Sequence, residues 1–174
     1  MNAPALRALT EADWEHFREL RLFALRTEPG VFFSSYARET EFDRTEWISR
    51  IAQPGRCVFG LFIDGALVGI SGIITSTDDP SLATAELVMS YLLPEYRGKG
   101  FSALFYEARL RWARAQSQFT QVRVSHRESN LASRRAIVRH GFTFVGRRSR
   151  LWPDGTEEDE LQYRLLLPRS ASEK

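Results

Sequence analysis

The dipeptide Asp64-Gly65 constrains this chain more than any other feature. It separates two β-rich runs, residues 57–63 and 67–74, and it is the pair that most readily supplies the positive φ angles of a two-residue hairpin. Those strands are therefore antiparallel neighbours, and a wholly parallel sheet is excluded.

The other elements arrange themselves around that hairpin. Residues 6–9 alternate as a short strand, after which Thr10 with Asp13 offers a capping-box-like start to a helix with Trp14, Phe17, Leu20 and Ala24 on its apolar face. Pro29-Gly30 ends it. A second helix is predicted over 44–51, capped by Asp43 and pointing Trp47, Ile48 and Ile51 inward. Beyond the hairpin and a polar loop at 75–81, residues 85–93 form a strand that stops at Pro94 and leads through Arg97-Gly98-Lys99-Gly100 into a helix. Phe101, Leu104, Phe105, Ala108, Trp112 and Ala115 read as its buried stripe, with Arg111 and Arg114 outward. Val122 and Val124 mark the next strand, Asn130 opens a helix that stops at Gly141, and a hairpin joins 142–147 to 161–167 through Pro153-Asp154-Gly155. The order β-α-α-β-β-β-α-β-α-β-β, with antiparallel hairpins and one central crossover, gives an α+β fold around a mixed sheet.

With 174 residues, 43% of them apolar, the chain fits one domain spanning 1–174 with a single sizeable core. One cysteine, Cys57, allows no intrachain disulfide, and its apolar neighbours Val58 and Phe59 make it a small buried hydrophobe. The first residues lack a signal-peptide pattern and nowhere do roughly eighteen apolar residues run together, so the expectation is a soluble, cytoplasmic protein without a membrane partner. With three scattered histidines and one cysteine, a metal site has little support. Charge is uneven: residues 1–87 carry 8 basic and 13 acidic side chains, residues 88–174 carry 16 and 9. The basic half lacks the aromatic interleaving of a single-strand-binding surface, which disfavours nucleic acid and favours a phosphorylated small molecule. The acidic half, with Asp78 and Asp79 before the strand at 85–93, suggests a preference for cationic acceptors, although such acids can equally be solvated surface.

The segment Arg97-Gly98-Lys99-Gly100-Phe101-Ser102 lies between a strand and a helix, where unpaired amides and the positive helix end make an anion site. An ordinary turn there needs one glycine; two glycines flanked by Arg and Lys favour phosphate. Gly98-x-Gly100-x-x-Ala103 also fits the dinucleotide fingerprint, but the loop comes mid-chain and the following strand ends in Val124-Ser125-His126 without an acid. A nucleoside-triphosphate loop fails because Lys99 precedes glycine.

The run from Leu92 to Ser102 resembles the acetyl-CoA signature of the GNAT N-acetyltransferases, Arg/Gln-x-x-Gly-x-Gly/Ala, with Arg97 and Gly100 matching and Ser102 at the final small position. Asn130-x-x-Ser133 followed by Gly141-Phe142 resembles the family's Asn-x-x-Ala/Ser helix, and the likeness in element order covers about residues 5–167. The resemblance implies a mixed, mainly antiparallel sheet flanked by helices, with a V-shaped opening between the fourth and fifth strands. In that opening Leu92 borders the pantetheine arm, and the amides of Gly98, Lys99, Gly100, Phe101 and Ser102 hold the pyrophosphate. Asn130 and Ser133 flank the thioester end, although Asn130 also reads as a plain N-cap.

Acetyl transfer needs a neutral amine, and deprotonating a lysine-like amine at pH 7 costs about 4 kcal/mol. The resemblance makes Glu86 the first candidate base, the alternative being a carboxylate at a wet strand edge. Many relatives place a tyrosine general acid where this chain has Ile137; Tyr91, Tyr96, Ser133, His126 and His140 are substitutes that no spacing ranks. The implied reaction is acetylation by acetyl-CoA of a primary amine on a small molecule or protein. The alternative is a catalytically weak or inactive acyl-CoA-binding module. The acceptor stays open, as does the oligomeric state, a homodimer included.

Overall fold

The computed structural model describes residues 3–168; positions 1–2 and 169–174 of the expected domain lie outside the described residues. Strand β1 (Ala5–Ala8) leads through a 3-10 turn, Glu11–Asp13, into α1 (Trp14–Thr27), with Phe17, Leu20 and Ala24 buried as the helical period predicts. A short α2 (Tyr36–Thr40) follows, then α3 (Arg44–Ala52), whose first turn is closed reciprocally by Asp43 and Glu46. Strands β2 (Arg56–Ile63) and β3 (Ala66–Thr75) meet at the predicted turn, where Asp64 (φ 50) and Gly65 (φ 83) both take left-handed backbone. Next come β4 (Thr84–Leu92), α4 (Phe101–Arg114), β5 (Gln121–Arg127), α5 (Leu131–Arg139), β6 (Thr143–Leu151) and β7 (Glu157–Leu166).

The seven strands form one sheet in the order β1-β2-β3-β4-β5-β7-β6. Every neighbouring pair is antiparallel except β4 and β5, which the α4 crossover makes parallel. That parallel pair is short: Thr84 meets Gln121, Ala85 meets Val122, Glu86 meets Arg123, and pairing stops there. Past this point β4 also shifts register against β3 between Ile70 and Gly72, where Met89 holds φ 57. A bulge of this kind bends its strand and strengthens its twist. The predicted V between the fourth and fifth strands is thus present in the backbone.

Helices cover both faces. On one side α1 and α3 pack Phe17, Leu25, Trp47 and Ile51 against Val58, Ile70 and Tyr91; on the other, Leu110 and Ala113 of α4 and Ile137 of α5 pack on Ile73, Leu87, Val122 and Tyr163. Each fully buried aliphatic side chain contributes about 1.5–3 kcal/mol.

Three expectations change. The helix α2 was not anticipated, because its five residues hold no full apolar period; Ser35 starts it by accepting from the Arg38 amide at 3.2 Å. The buried side of α4 is Phe105, Tyr106, Arg109, Leu110 and Ala113, whereas Phe101, Leu104, Ala108 and Trp112 are half-buried and Ala115 is exposed. An apolar count misplaced that stripe because two of its members carry polar ends. The last hairpin is longer than predicted, since charged residues such as Arg148 and Glu160 pair across it.

Candidate active site

Where β4 and β5 separate, a cavity of about 810 Å³ passes between them and takes walls from both faces of the sheet. Leu92 and residues of α4 and α5 border it on one side; Arg21, Glu39 and Arg50 border it on the side of α1 to α3.

The glycine loop opens onto this space. Gly98 (φ 73) and Gly100 (φ 82) are both left-handed, and among the described residues, chain neighbours aside, no atom lies within 4 Å of where a Cβ would stand, so backbone conformation and not crowding calls for glycine. Gly100 is the N-cap of α4, which turns the first amides and the positive helix end toward the cavity. Arg97 is already engaged: its Nε donates to the Leu92 carbonyl at 2.8 Å and its Nη2 pairs with Glu28. It therefore ties the end of β4 to the end of α1. Lys99 stands over the Tyr96 ring, 5.4 Å from its centre, and its side chain does not border the cavity. Leu92, Arg97, Gly98, Gly100, Phe101, Ser102, Asn130 and Ser133, all singled out from the sequence, share one cavity. Asn130 also acts as the N-cap of α5, its Oδ1 accepting from the Ser133 amide at 3.1 Å.

Glu86 is half-buried on the last β4–β5 rung and borders the same cavity. Strand alternation sets it opposite Ala85 and Leu87, which lie in the core beneath α4 and α5, so its carboxylate belongs to the α1–α3 side. Burial pushes its pKa up, and Asp78 adds to this; Arg123 pulls the other way without cancelling it. The wet strand edge is not its environment, and a carboxylate held above its ordinary range is the better proton acceptor.

The substitutes for the missing tyrosine separate clearly. Ile137 is 1% exposed and belongs to the core, where it also lines the cavity. Tyr91 is buried, borders the cavity, and has a hydroxyl without a hydrogen-bond partner among the described residues. Ser133 also borders it. His126 borders it too, but its Nδ1 lies 2.7 Å from the Arg127 carbonyl and its Nε2 3.3 Å from the Tyr163 hydroxyl, and burial lowers its pKa. His140 stacks on Tyr106 at 4.0 Å and, like Tyr96, lies outside the lining.

Sequence reasoning missed the charged wall. Arg21 donates through Nε and Nη2 to Glu39 at 3.0 and 2.8 Å inside the core, and Arg50 stands 3.7 Å from the same carboxylate. Arg109 is 1% exposed, donates to the Phe105 carbonyl and to Ser90 Oγ at 3.0 Å, and burial lowers its pKa to about 10. Its place four residues after Phe105 was the available signal. Asp78 and Asp79 do not border the cavity; the charged side chains that the acidic half of the sequence contributes there are Glu39 and Glu86 and three arginines, Arg21, Arg38 and Arg50. Among the described residues no group of three or more His, Cys, Asp or Glu could hold a metal, and no helix is long and apolar enough to cross a membrane.

Residues 5–143 match the model of the acetyltransferase (GNAT) domain. No curated protein matches the chain. Among solved structures, the backbone is similar to an N-acetyltransferase from Staphylococcus aureus Mu50, at 18% identity, covering 96% of this chain and 100% of that one, with a TM-score of 0.82. A Salmonella typhimurium protein solved with its cofactor acetyl-CoA is 18% identical, with 99% of each chain covered and a TM-score of 0.81. A ribosomal-protein-alanine N-acetyltransferase from Brucella melitensis is 20% identical over 94% of this chain and 99% of that one, with a TM-score of 0.78. At such identities the likeness is one of fold.

Proposed function

The chain belongs to the GNAT acetyltransferase family, and on that premise we propose that it is a single-domain enzyme transferring the acetyl group of acetyl-CoA to a primary amine of a small molecule or protein. One observation carries the reading: β4 and β5 part after three rungs, with the N-terminus of α4 on one side of the resulting cavity and the Glu86 carboxylate on the other.

The residues suit the coenzyme. Left-handed glycines with open space above them leave the amides of Gly98 to Ser102 free to cradle a pyrophosphate, and Leu92, Asn130 and Ser133 border the path inward. Acetyl-CoA supplies an activated acyl thioester. The chain brings the amine to it, and positioning of this kind can lower the barrier by about 7–11 kcal/mol. Glu86 takes the proton whose removal from the amine costs about 4 kcal/mol at pH 7. Protonating the departing thiolate is a smaller matter, about 2 kcal/mol for a thiol of ordinary pKa, which water or the unpaired Tyr91 hydroxyl can meet. Cys57, half-buried with its thiol pushed up to about 11, fits a chain working in a reducing, cytoplasmic setting.

The buried Ile137 in the tyrosine position favours a second reading, a coenzyme-binding module with little or no catalysis. Release of free thiol from acetyl-CoA over a panel of amines separates the two: amine-dependent release supports the enzyme, and tight coenzyme binding without release supports the module.

A further inference from the structure

We propose that the amine acceptor carries a carboxylate, and that Arg21, Arg38 and Arg50 on the α1–α3 side of the cavity hold it. This assignment rests on the acetyltransferase reading and adds the class of acceptor to it.

Three guanidiniums and two carboxylates, Glu39 and Glu86, are the charged groups that the N-terminal half brings to the cavity. Glu86 is taken up with the amine. Glu39 is wholly buried and already receives two hydrogen bonds from Arg21, with Arg50 at 3.7 Å, so it offsets one of the three positive charges. The Arg21 side chain is 4% exposed, yet its Nη1 has no hydrogen-bond partner among the described residues. A buried guanidinium donor left unpaired costs free energy that an incoming carboxylate recovers, and such charge-assisted pairs are the stronger kind of hydrogen bond.

The excess positive charge extends further along this wall. Arg38 and Arg50 also border an adjoining cavity of about 430 Å³, together with Arg56 and one carboxylate, Glu46. Burial first, and then the neighbouring Arg21, Arg56 and Arg38, push the pKa of Arg50 down against the pull of Glu39. An anion seated among them relieves that repulsion. The coenzyme's phosphates are not this anion, because the glycine loop that suits them belongs to α4, across the sheet from α1 and α3.

The test compares free α-amino acids with the corresponding amino-acid amides, which keep the amine and nearly the same shape but lose the negative charge, and adds spermidine as a cationic acceptor. Thiol release and acetyl-CoA binding are measured on the same samples of the full chain. For at least one pair, kcat/KM is expected to favour the carboxylate by about tenfold or more, and Arg38→Gln, on the exposed side of α2, should reduce that preference, with Arg50→Gln as a second variant. Equal or better use of the amides or spermidine by a protein that binds acetyl-CoA overturns the acceptor assignment alone. So does a preference that survives both variants. Failure of the wild-type chain to bind acetyl-CoA overturns the assignment together with the reading beneath it.

Discussion

Glu86 and Arg123 face each other on the last rung of the parallel β4–β5 pair, immediately before the strands separate. The rung-to-rung pairing of these strands thus ends at the proposed base, and the opening begins beside it. Burial raises the Glu86 pKa, so its ionised form is less favourable in the folded chain than in the unfolded one. The contribution of this group to stability is largest below the unfolded pKa and declines as pH rises through the folded one. Glu86→Gln should therefore not lower the melting temperature at pH 7, while kcat/KM falls by about a hundredfold, in the usual range for loss of a general base. The deficit should narrow toward pH 9.5, where more amine is already neutral. A pH–rate profile unchanged by the substitution removes Glu86 from the role.

Ile137→Tyr tests the absent general acid, and its position in the core alters what to expect. Ile137 is 1% exposed yet also lines the cavity, so a larger ring must either displace core neighbours, at a cost of about 1–3 kcal/mol, or turn into the cavity. Any gain in rate should stay below about tenfold, or 1.4 kcal/mol, because the thiolate is easy to protonate. Tyr91→Phe makes the complementary test: it removes a buried hydroxyl without a partner, so stability should hold, and the rate should fall by less than about tenfold. Denaturant titration beside the kinetics checks both, and a Tyr91→Phe loss beyond a hundredfold would make that hydroxyl the general acid.

The Arg21–Glu39 pair governs acid stability. Burial raises the Glu39 pKa, but the hydrogen bonds and charge of Arg21, with help from Arg50, outweigh it and leave the value lowered. A lowered carboxylate pKa gives stability that is present above the unfolded value, about 4.3, and is lost as pH falls through the folded one. Arg21→Met should cost about 3–5 kcal/mol at pH 7, because Glu39 is left buried and largely uncompensated. Below pH ~4 the difference from wild type should shrink as Glu39 takes up a proton. Unfolding curves at pH 7 and pH 3.5 measure this, and a constant difference contradicts the account.

Cys57 should be unreactive. With its thiol pushed up to about 11 by burial, almost none is thiolate at pH 7, and alkylation of the folded chain should be far slower than of the urea-unfolded chain. Equal rates in the two states would show that the β2 core is open at that point.

The sequence made the backbone legible wherever a local rule was strong. Asp64-Gly65 dictated its own turn, Asp43 and Glu46 closed the start of α3, and Asn130 capped α5, because each acts within a few residues. The glycine-loop side of the cavity was legible for the same reason, being one contiguous loop and one cap. The arginine wall was not. Arg21, Arg38 and Arg50 lie on three different helices and meet only after folding, and each reads locally as a solvated cation. Counting charge over residues 1–87 could not reveal this wall, since the acids that made the count negative include Asp78 and Asp79, which stay outside the cavity. Lys99 shows a limit of the same kind: its amide belongs to the glycine loop, but proximity in sequence does not say where its side chain goes, and that side chain lies on Tyr96.

The central claim, that the amides at the start of α4 hold the coenzyme at the mouth of the β4–β5 opening, is tested most directly by titrating acetyl-CoA into the wild-type chain and into Ser102→Glu in a calorimeter. Gly100→Glu is a poorer choice, because φ 82 there strains any side chain. Ser102 is exposed in the first turn of α4, where a carboxylate favours the helix by about 0.3–1 kcal/mol while repelling a pyrophosphate. The wild-type chain should bind acetyl-CoA, and Ser102→Glu, with an unchanged melting temperature, should bind it at least about tenfold more weakly. Equal affinity in a folded Ser102→Glu variant, or no binding by the wild-type chain, contradicts the claim.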